Sequence, residues 1–231
     1  MKEWVEGILP LERDLFFALN GSDSVFLDNV MWTISGRLIW IPLYLFILFL
    51  FFYRMPRKEG ILAALFLIVV FALCDQVSSS LFKPLFERFR PTHHPDFSEM
   101  VDTVKGYRGG RYGFISGHAT NSFGLASFVS LVFMRRLLTI SAFSWALINS
   151  YTRIYLGVHF ISDILAGILV GSLLGILTYL VYSWTRVKVI QPEEGSVKHP
   201  YTKNGTMLAS FIIIGLIIIT VFSPFLETIP H

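Results

Sequence analysis

The sequence predicts an all-α integral membrane protein: a bundle of six transmembrane helices preceded by an N-terminal interfacial amphipathic helix. Three observations predict it. Hydrophobic residues make up 54% of the 231 positions and mean hydropathy is +0.61, beyond the balance of a soluble domain. The apolar residues gather into six long runs, most able to cover roughly 30 Å of hydrocarbon at about 1.5 Å per residue. The runs are joined by short basic connectors such as RMPRK at 54–58 and the Arg135-Arg136 pair, as at a cytoplasmic face.

Taken in order, residues 1–35 alternate apolar and charged positions (LPLERDLFFALN, then SVFLDNVMW) and read as an interfacial helical segment. They lack the basic, apolar, small-residue order of a removable signal peptide. The first span covers 38–53 and is marginal in length. The second covers 61–82, the third 114–134, the fourth 137–156, the fifth 160–184 and the sixth 207–225. Segment 91–113 is a polar, glycine-containing loop, and 191–205 is a polar cytoplasmic linker. The whole of 1–231 reads as one membrane domain.

The count of basic residues on the two faces is nearly even, nine against ten. The nine sit in tight connectors, whereas the ten are interleaved with acids, so the nine mark the cytoplasmic side. Loop 91–113 then faces outward. A formal net charge of +3 is too small to suggest a nucleic-acid partner, and the single cysteine, Cys74, excludes a disulfide framework.

Three polar clusters fall at the outward end. The first is KPLFERFRP at 83–91. Lys83 and Arg90 are seven apart, so a helix would project both from one face as an anion site; snorkelling to headgroups is the bland alternative. The second is GFISGHATNSFG at 113–124. There Ser116, Gly117 and His118 open the third span, where free N–H groups and the helix dipole favour an anion. Ser116 reads equally as a helix cap, and His118 is placed to hand a proton to a leaving oxygen. The third is TRIYLGVHFISD at 152–163. His159 and Asp163, four apart, share a helix face, so the carboxylate holds one ring nitrogen and leaves the other as a nucleophile. Arg153 precedes Gly157, a candidate bend. Gly167, Gly171 and Gly175 continue the Asp163 face at intervals of four, a surface for close helix packing.

Three cations, a helix N-terminus, two histidines and a carboxylate at one bundle end fit a phosphoryl group. No Cys/His/carboxylate spacing suggests a metal; His93 and His94, being adjacent, make a poor chelating pair. Asp75 reads as a structural hydrogen-bond partner of another span, near Asn149. Arg108 and Arg111 either meet a substrate headgroup or are a solvated loop.

The pattern Lys83…Arg90-Pro91, Ser116-Gly117-His118, Arg153…His159…Asp163 resembles the type 2 phosphatidic acid phosphatase family, whose active site is shared with vanadium haloperoxidases. The resemblance covers about residues 60–180. It departs from the family at Ile115, where proline is usual, and at Thr152, where serine is usual. It implies a lipid-phosphate phosphatase with no cofactor. His159 would form a phosphohistidine, Asp163 would orient it, and His118 would serve as acid and then base. Lys83, Arg90, Ser116, Gly117 and Arg153 would bind the phosphate oxygens. The partners implied are membrane lipids and a lipid phosphate: undecaprenyl diphosphate, phosphatidylglycerophosphate, phosphatidic acid or lipid A phosphate. The implied place is a bacterial inner membrane with the site facing outward. A phosphate-binding transporter and a lipid-to-lipid phosphotransferase are the alternatives for the same cationic pocket.

Overall fold

The computed structural model describes residues 1–191 and 200–226. Among them the chain is helical, apart from one isolated antiparallel bridge between Phe89 and Tyr112. The helices are α1 (Lys2–Glu6), α2 (Leu9–Leu19), α3 (Val25–Ser35), α4 (Ile41–Phe52), α5 (Arg57–Phe86), α6 (Gly117–Phe133), α7 (Arg136–Tyr155), α8 (Ile161–Ile190) and α9 (Gly205–Leu226). Most of the linker expected at 191–205 lies outside the described residues.

Local chemistry starts and stops these helices. Ser24 caps α3 by accepting from the Leu27 N–H at 3.3 Å. Pro10 and Pro42 occupy first turns, where a missing N–H costs nothing. Met134 turns left-handed (φ 47°) and ends α6 just before the Arg135-Arg136 pair. α5 widens to a π-helix over Gln76–Phe82, immediately ahead of Pro84, whose ring crowds the turn before it and removes a donor.

α6 is the central helix, packed by α5, α7 and α8. Phe123, Phe128 and Phe133 bury their rings in the main core with Trp40, Phe51 and Trp145. α8 shows how one helix serves two solvents. Leu165, Leu169 and Leu173 point outward and are exposed, while Gly167 and Gly171 lie against α6. A Cβ on Gly167 would sit 2.9 Å from the Ser116 carbonyl oxygen, and one on Gly175 would sit 2.8 Å from Ser127 Cβ. Only glycine permits that approach, and it fixes the register of α8 on α6.

Several expectations take a different form in the structure. Residues 1–35 form three helices rather than one interfacial helix: Phe16 of α2 is fully buried, and α3 packs on α7 and α9. Among the described residues, three helices are long and apolar enough to cross a membrane: Arg57–Phe86, Ile161–Ile190 and Pro200–Leu226. Val25–Ser35 with Leu38–Phe52 pass that test as a pair bent by 68°. α6 and α7 do not pass it. α6 has 17 residues and lies inside the bundle, where neighbouring helices surround its Ser and Thr side chains. α7 carries Arg136, Asn149 and Arg153. The second and fifth expected spans, in turn, are each longer than their apolar runs suggested.

Candidate active site

The segment after α5 is decided by one residue. Glu87 adopts a left-handed conformation (φ 46°), which ends the helix at Phe86 and sends 88–90 out as an extended strip. Lys83 and Arg90 therefore do not share a helix face. The strip pairs with 111–113: Arg90 N–H donates to the Arg111 carbonyl at 3.1 Å, and Gly113 N–H to the Arg88 carbonyl at 2.9 Å. In extended chain, alternate side chains share a side, so Arg88 and Arg90 are both buried while Phe89 between them is half-exposed. Arg90 is held by the carbonyls of Tyr112 (3.1 Å) and Val158 (3.2 Å).

His159 also lies off the helix, before its cap at Phe160. The pairing with Asp163 is nonetheless made. Asp163, in the first turn of α8, accepts on Oδ2 both the Phe160 N–H at 3.0 Å and His159 Nδ1 at 3.2 Å. It acts at once as a cap on the Phe160 backbone N–H and as the orienting group for the imidazole. Gly157 supplies the expected bend (φ +71°); a Cβ there would lie 2.8 Å from the Asp102 carbonyl oxygen. Gly113 passes so close that a Cβ would lie 3.0 Å from Asp163 Oδ2 and 3.5 Å from His159 Nδ1.

A cavity of ≈360 Å³ collects these groups. Lys83, Arg90, Arg153, Gly117, His118 and His159 all line it. Both imidazoles thus face one cavity. His118 Nε2 is 3.3 Å from the Ser35 carbonyl oxygen, an acceptor only, so Nε2 carries a proton and Nδ1 is left for exchange. Arg153 reaches the Ser35 hydroxyl and, at 3.1 Å, the Tyr107 hydroxyl. Ser116 is the exception among the expected phosphate ligands. It is fully buried, its Oγ caps α6 by accepting from the Ala119 N–H at 3.5 Å, and its N–H donates to the Asp163 carbonyl at 3.1 Å.

The charge balance inside the cavity is strongly positive. Burial, and next the neighbouring Arg153, push the Arg90 guanidinium down to about 10. Burial pushes the Tyr107 hydroxyl up, but Arg153, Arg90 and Arg37 outweigh it and leave it below its ordinary value. A tetrahedral oxyanion placed among these groups relieves the like-charge repulsion that they create.

Four contributors were not picked out from sequence. Arg37, at the bend between α3 and α4, and Tyr107 line the cavity. Arg88 and Glu12 stand behind it: Arg88 Nη1 donates to Asp163 Oδ1 at 2.8 Å, and Nη2 to Glu12 Oε1 at 2.6 Å. Burial works against the Arg88 charge, but Asp163 and Glu12 outweigh it and hold the guanidinium more firmly protonated than usual. The alternation in Arg88-Phe89-Arg90 is a signal that could have found Arg88; Glu12 has none.

Asp75 differs from its expected role. It lines the cavity, and Asn149 Nδ2 donates instead to Ser122 Oγ at 2.6 Å. Arg108 and Arg111 are exposed, and Arg111 lies over the rings of Phe89 and Tyr112. His94 is buried against Phe97 with Glu6 at 3.7 Å. Among the described residues, no group of three or more His, Cys, Asp or Glu side chains is placed to hold a metal ion.

Comparisons with known proteins point the same way. The PAP2 superfamily profile matches residues 61–186. Lipid A 4'-phosphatase of Porphyromonas gingivalis is 47% identical over 182 residues, 79% of this chain and 77% of that protein. The protein of the same name from Bacteroides thetaiotaomicron is 36% identical over 178 residues, 77% of this chain and 79% of that one. Among solved structures, Aquifex aeolicus LpxE superposes with a TM-score of 0.57 at 28% identity, covering 73% of this chain and 94% of its own.

Proposed function

The chain belongs to the PAP2 superfamily and is a membrane lipid phosphatase, and from that premise we propose that it removes a phosphate monoester from lipid A, at the 4' position, through a phosphohistidine on His159. The observation that carries the reading is the continuity of two cavities. An apolar groove of ≈650 Å³, lined by Leu45, Leu48, Leu67 and Ile68, shares Tyr44, Phe71, Asp75 and Asn121 with the cationic cavity. A phosphate at Lys83 then leaves an attached acyl chain lying in apolar surroundings open to the bilayer. The relatives named for lipid A 4'-phosphate support the choice of headgroup.

The steps follow from the geometry. Lys83, Arg90, Arg153 and the Gly117 N–H hold the phosphate oxygens, each charge-assisted bond contributing about 1.5–3 kcal/mol. His159 Nε2 attacks phosphorus as the bond to the sugar oxygen breaks. His118, protonated on both nitrogens when the phosphate is bound, gives that oxygen its Nδ1 proton, a role typically worth about 10²–10⁴ in rate. His118 then takes a proton from water, which attacks the phosphohistidine; the P–N bond breaks and inorganic phosphate leaves. Asp163 accepts the Nδ1–H of His159 throughout and so keeps Nε2 turned to phosphorus. Ser116 ties α6 to α8 and does not touch the phosphate.

The six-span reading belongs to the same proposal. α6 crosses the bilayer inside the bundle, α7 crosses it with Leu137, Ile140 and Leu147 turned outward, loop 91–113 faces outward, and the protein resides in a bacterial inner membrane.

The test is a substrate panel with purified protein in detergent: lipid A 4'-phosphate, lipid A 1-phosphate, undecaprenyl diphosphate and phosphatidylglycerophosphate. Fastest phosphate release from the 4' ester is expected, with at least about a thousandfold loss in His159→Ala. A clear preference for any other member overturns the lipid A assignment. His159→Ala retaining turnover overturns the nucleophile.

A further inference from the structure

We propose that Glu12 and Arg88 are positioning residues for the phosphoryl transfer: acting through Asp163, they fix the imidazole of His159 and set the negative charge behind it. The proposal rests on the reading of His159 as nucleophile. Neither residue belongs to the motifs, and neither lines the cavity.

The geometry is a buried chain of charges. Arg88, 0% exposed, bridges two carboxylates with the two arms of its guanidinium: Nη2 to Glu12 and Nη1 to Asp163. The same Nη1 donates to Ser162 Oγ at 2.6 Å, and the guanidinium lies 4.5 Å from the centre of the Phe160 ring. Glu12 closes the far side. It accepts from the Ser162 backbone N–H on Oε2 and from Ser162 Oγ on Oε1, both at 2.7 Å. A residue of α2 thus caps the first turn of α8, the turn that carries Asp163, and the bidentate fork of arginine sets the distance between the two acids.

The charge count gives this chain a purpose. Glu12, Arg88 and Asp163 together carry one net negative charge directly behind His159. Attack on phosphorus makes the His159 ring cationic, in a cavity already lined by Lys83, Arg90 and Arg153. The net negative charge offsets that cation when it forms. Without Glu12, Arg88 would cancel Asp163, and the nascent imidazolium would lose the negative charge behind it while still facing Lys83, Arg90 and Arg153. The effect falls on the chemical step and not on substrate binding, because Glu12 touches no part of the cavity.

The experiment uses the full chain in detergent, on whichever lipid phosphate of the panel the wild-type enzyme cleaves, so the result is independent of the lipid A assignment. kcat, KM, the rate of acid-trapped phosphoenzyme formation and the melting temperature are measured for Glu12→Gln, Glu12→Asp and Arg88→Lys. Glu12→Gln is expected to lose about 10–100-fold in kcat, a typical cost of removing an orienting partner, with KM within about twofold and slower phosphoenzyme formation. Glu12→Asp keeps the charge with a shorter reach and is expected to recover part of the loss. Arg88→Lys keeps the charge but lacks the fork and is expected to lose kcat likewise. A folded Glu12→Gln with wild-type kcat, or one whose KM rises while kcat holds, overturns the proposal. Should Glu12→Gln fail to fold, Glu12→Asp decides: reduced kcat at unchanged KM supports the proposal, and wild-type kcat overturns it. Turnover surviving in His159→Ala would instead overturn the nucleophile on which it rests.

Discussion

Both ends of the bundle bury an arginine against a glutamate, yet they are built for different purposes. At the far end, Arg186 of α8 clamps Glu59 of α5, with Nε 2.9 Å from both carboxylate oxygens and Nη2 at 2.7 Å. The pair lies beside a cluster in which the Tyr201 hydroxyl donates to the Phe51 carbonyl at 3.5 Å. At the site end, Arg88 meets two carboxylates, and Lys83, Arg90 and Arg153 face a cavity with no acid bonded to them among the ion pairs of the described residues. A buried ion pair therefore does not mark a functional site. What marks it is a surplus of one sign facing open space, with the opposite sign placed behind a titratable ring.

Three substitutions test that contrast. The largest effect is expected for Glu59→Gln, which removes the carboxylate that Arg186 Nε and Nη2 meet. It should cost about 3–5 kcal/mol of stability, read as a lower denaturation midpoint, while kcat per folded molecule stays at the wild-type level. A fall in kcat would break the contrast. Next comes Lys83→Met, which removes one of the proposed phosphate ligands. A loss of about 1.5–3 kcal/mol of transition-state binding is about 10–150-fold in kcat/KM, with an unchanged midpoint. Equal losses of stability and activity would show the lysine to be structural.

The smallest effect is expected where the two ends join. A Cβ on Gly171 would fall 2.9 Å from the Thr120 carbonyl carbon, so Gly171→Ala pushes α8 from α6 at a cost of about 1–3 kcal/mol. Because α6 carries His118 and α8 carries Asp163, kcat and the midpoint should fall together. If only the midpoint falls, the glycine face holds the bundle without aligning the site.

The amino-acid order alone carried the helical membrane class and the residue types that meet at the cavity. Apolar runs, short basic connectors and the residue set Lys83, Arg90, Gly117, His118, Arg153, His159 and Asp163 are legible because hydrophobicity and side-chain chemistry belong to single residues and short windows. Tertiary structure decided how those residues meet. Lys83 and Arg90 converge through the left-handed turn at Glu87 and not through a helix face, and His159 reaches Asp163 from a loop. Ser116 turns inward as a cap, and Ser35 and Arg37 enter the site only because α3 and α4 meet at a sharp bend. Glu12 contacts Ser162 across 150 positions of sequence. No periodicity encodes such a contact, since it depends on how separate helices pack, and packing is set by the fit of whole surfaces rather than by any local pattern.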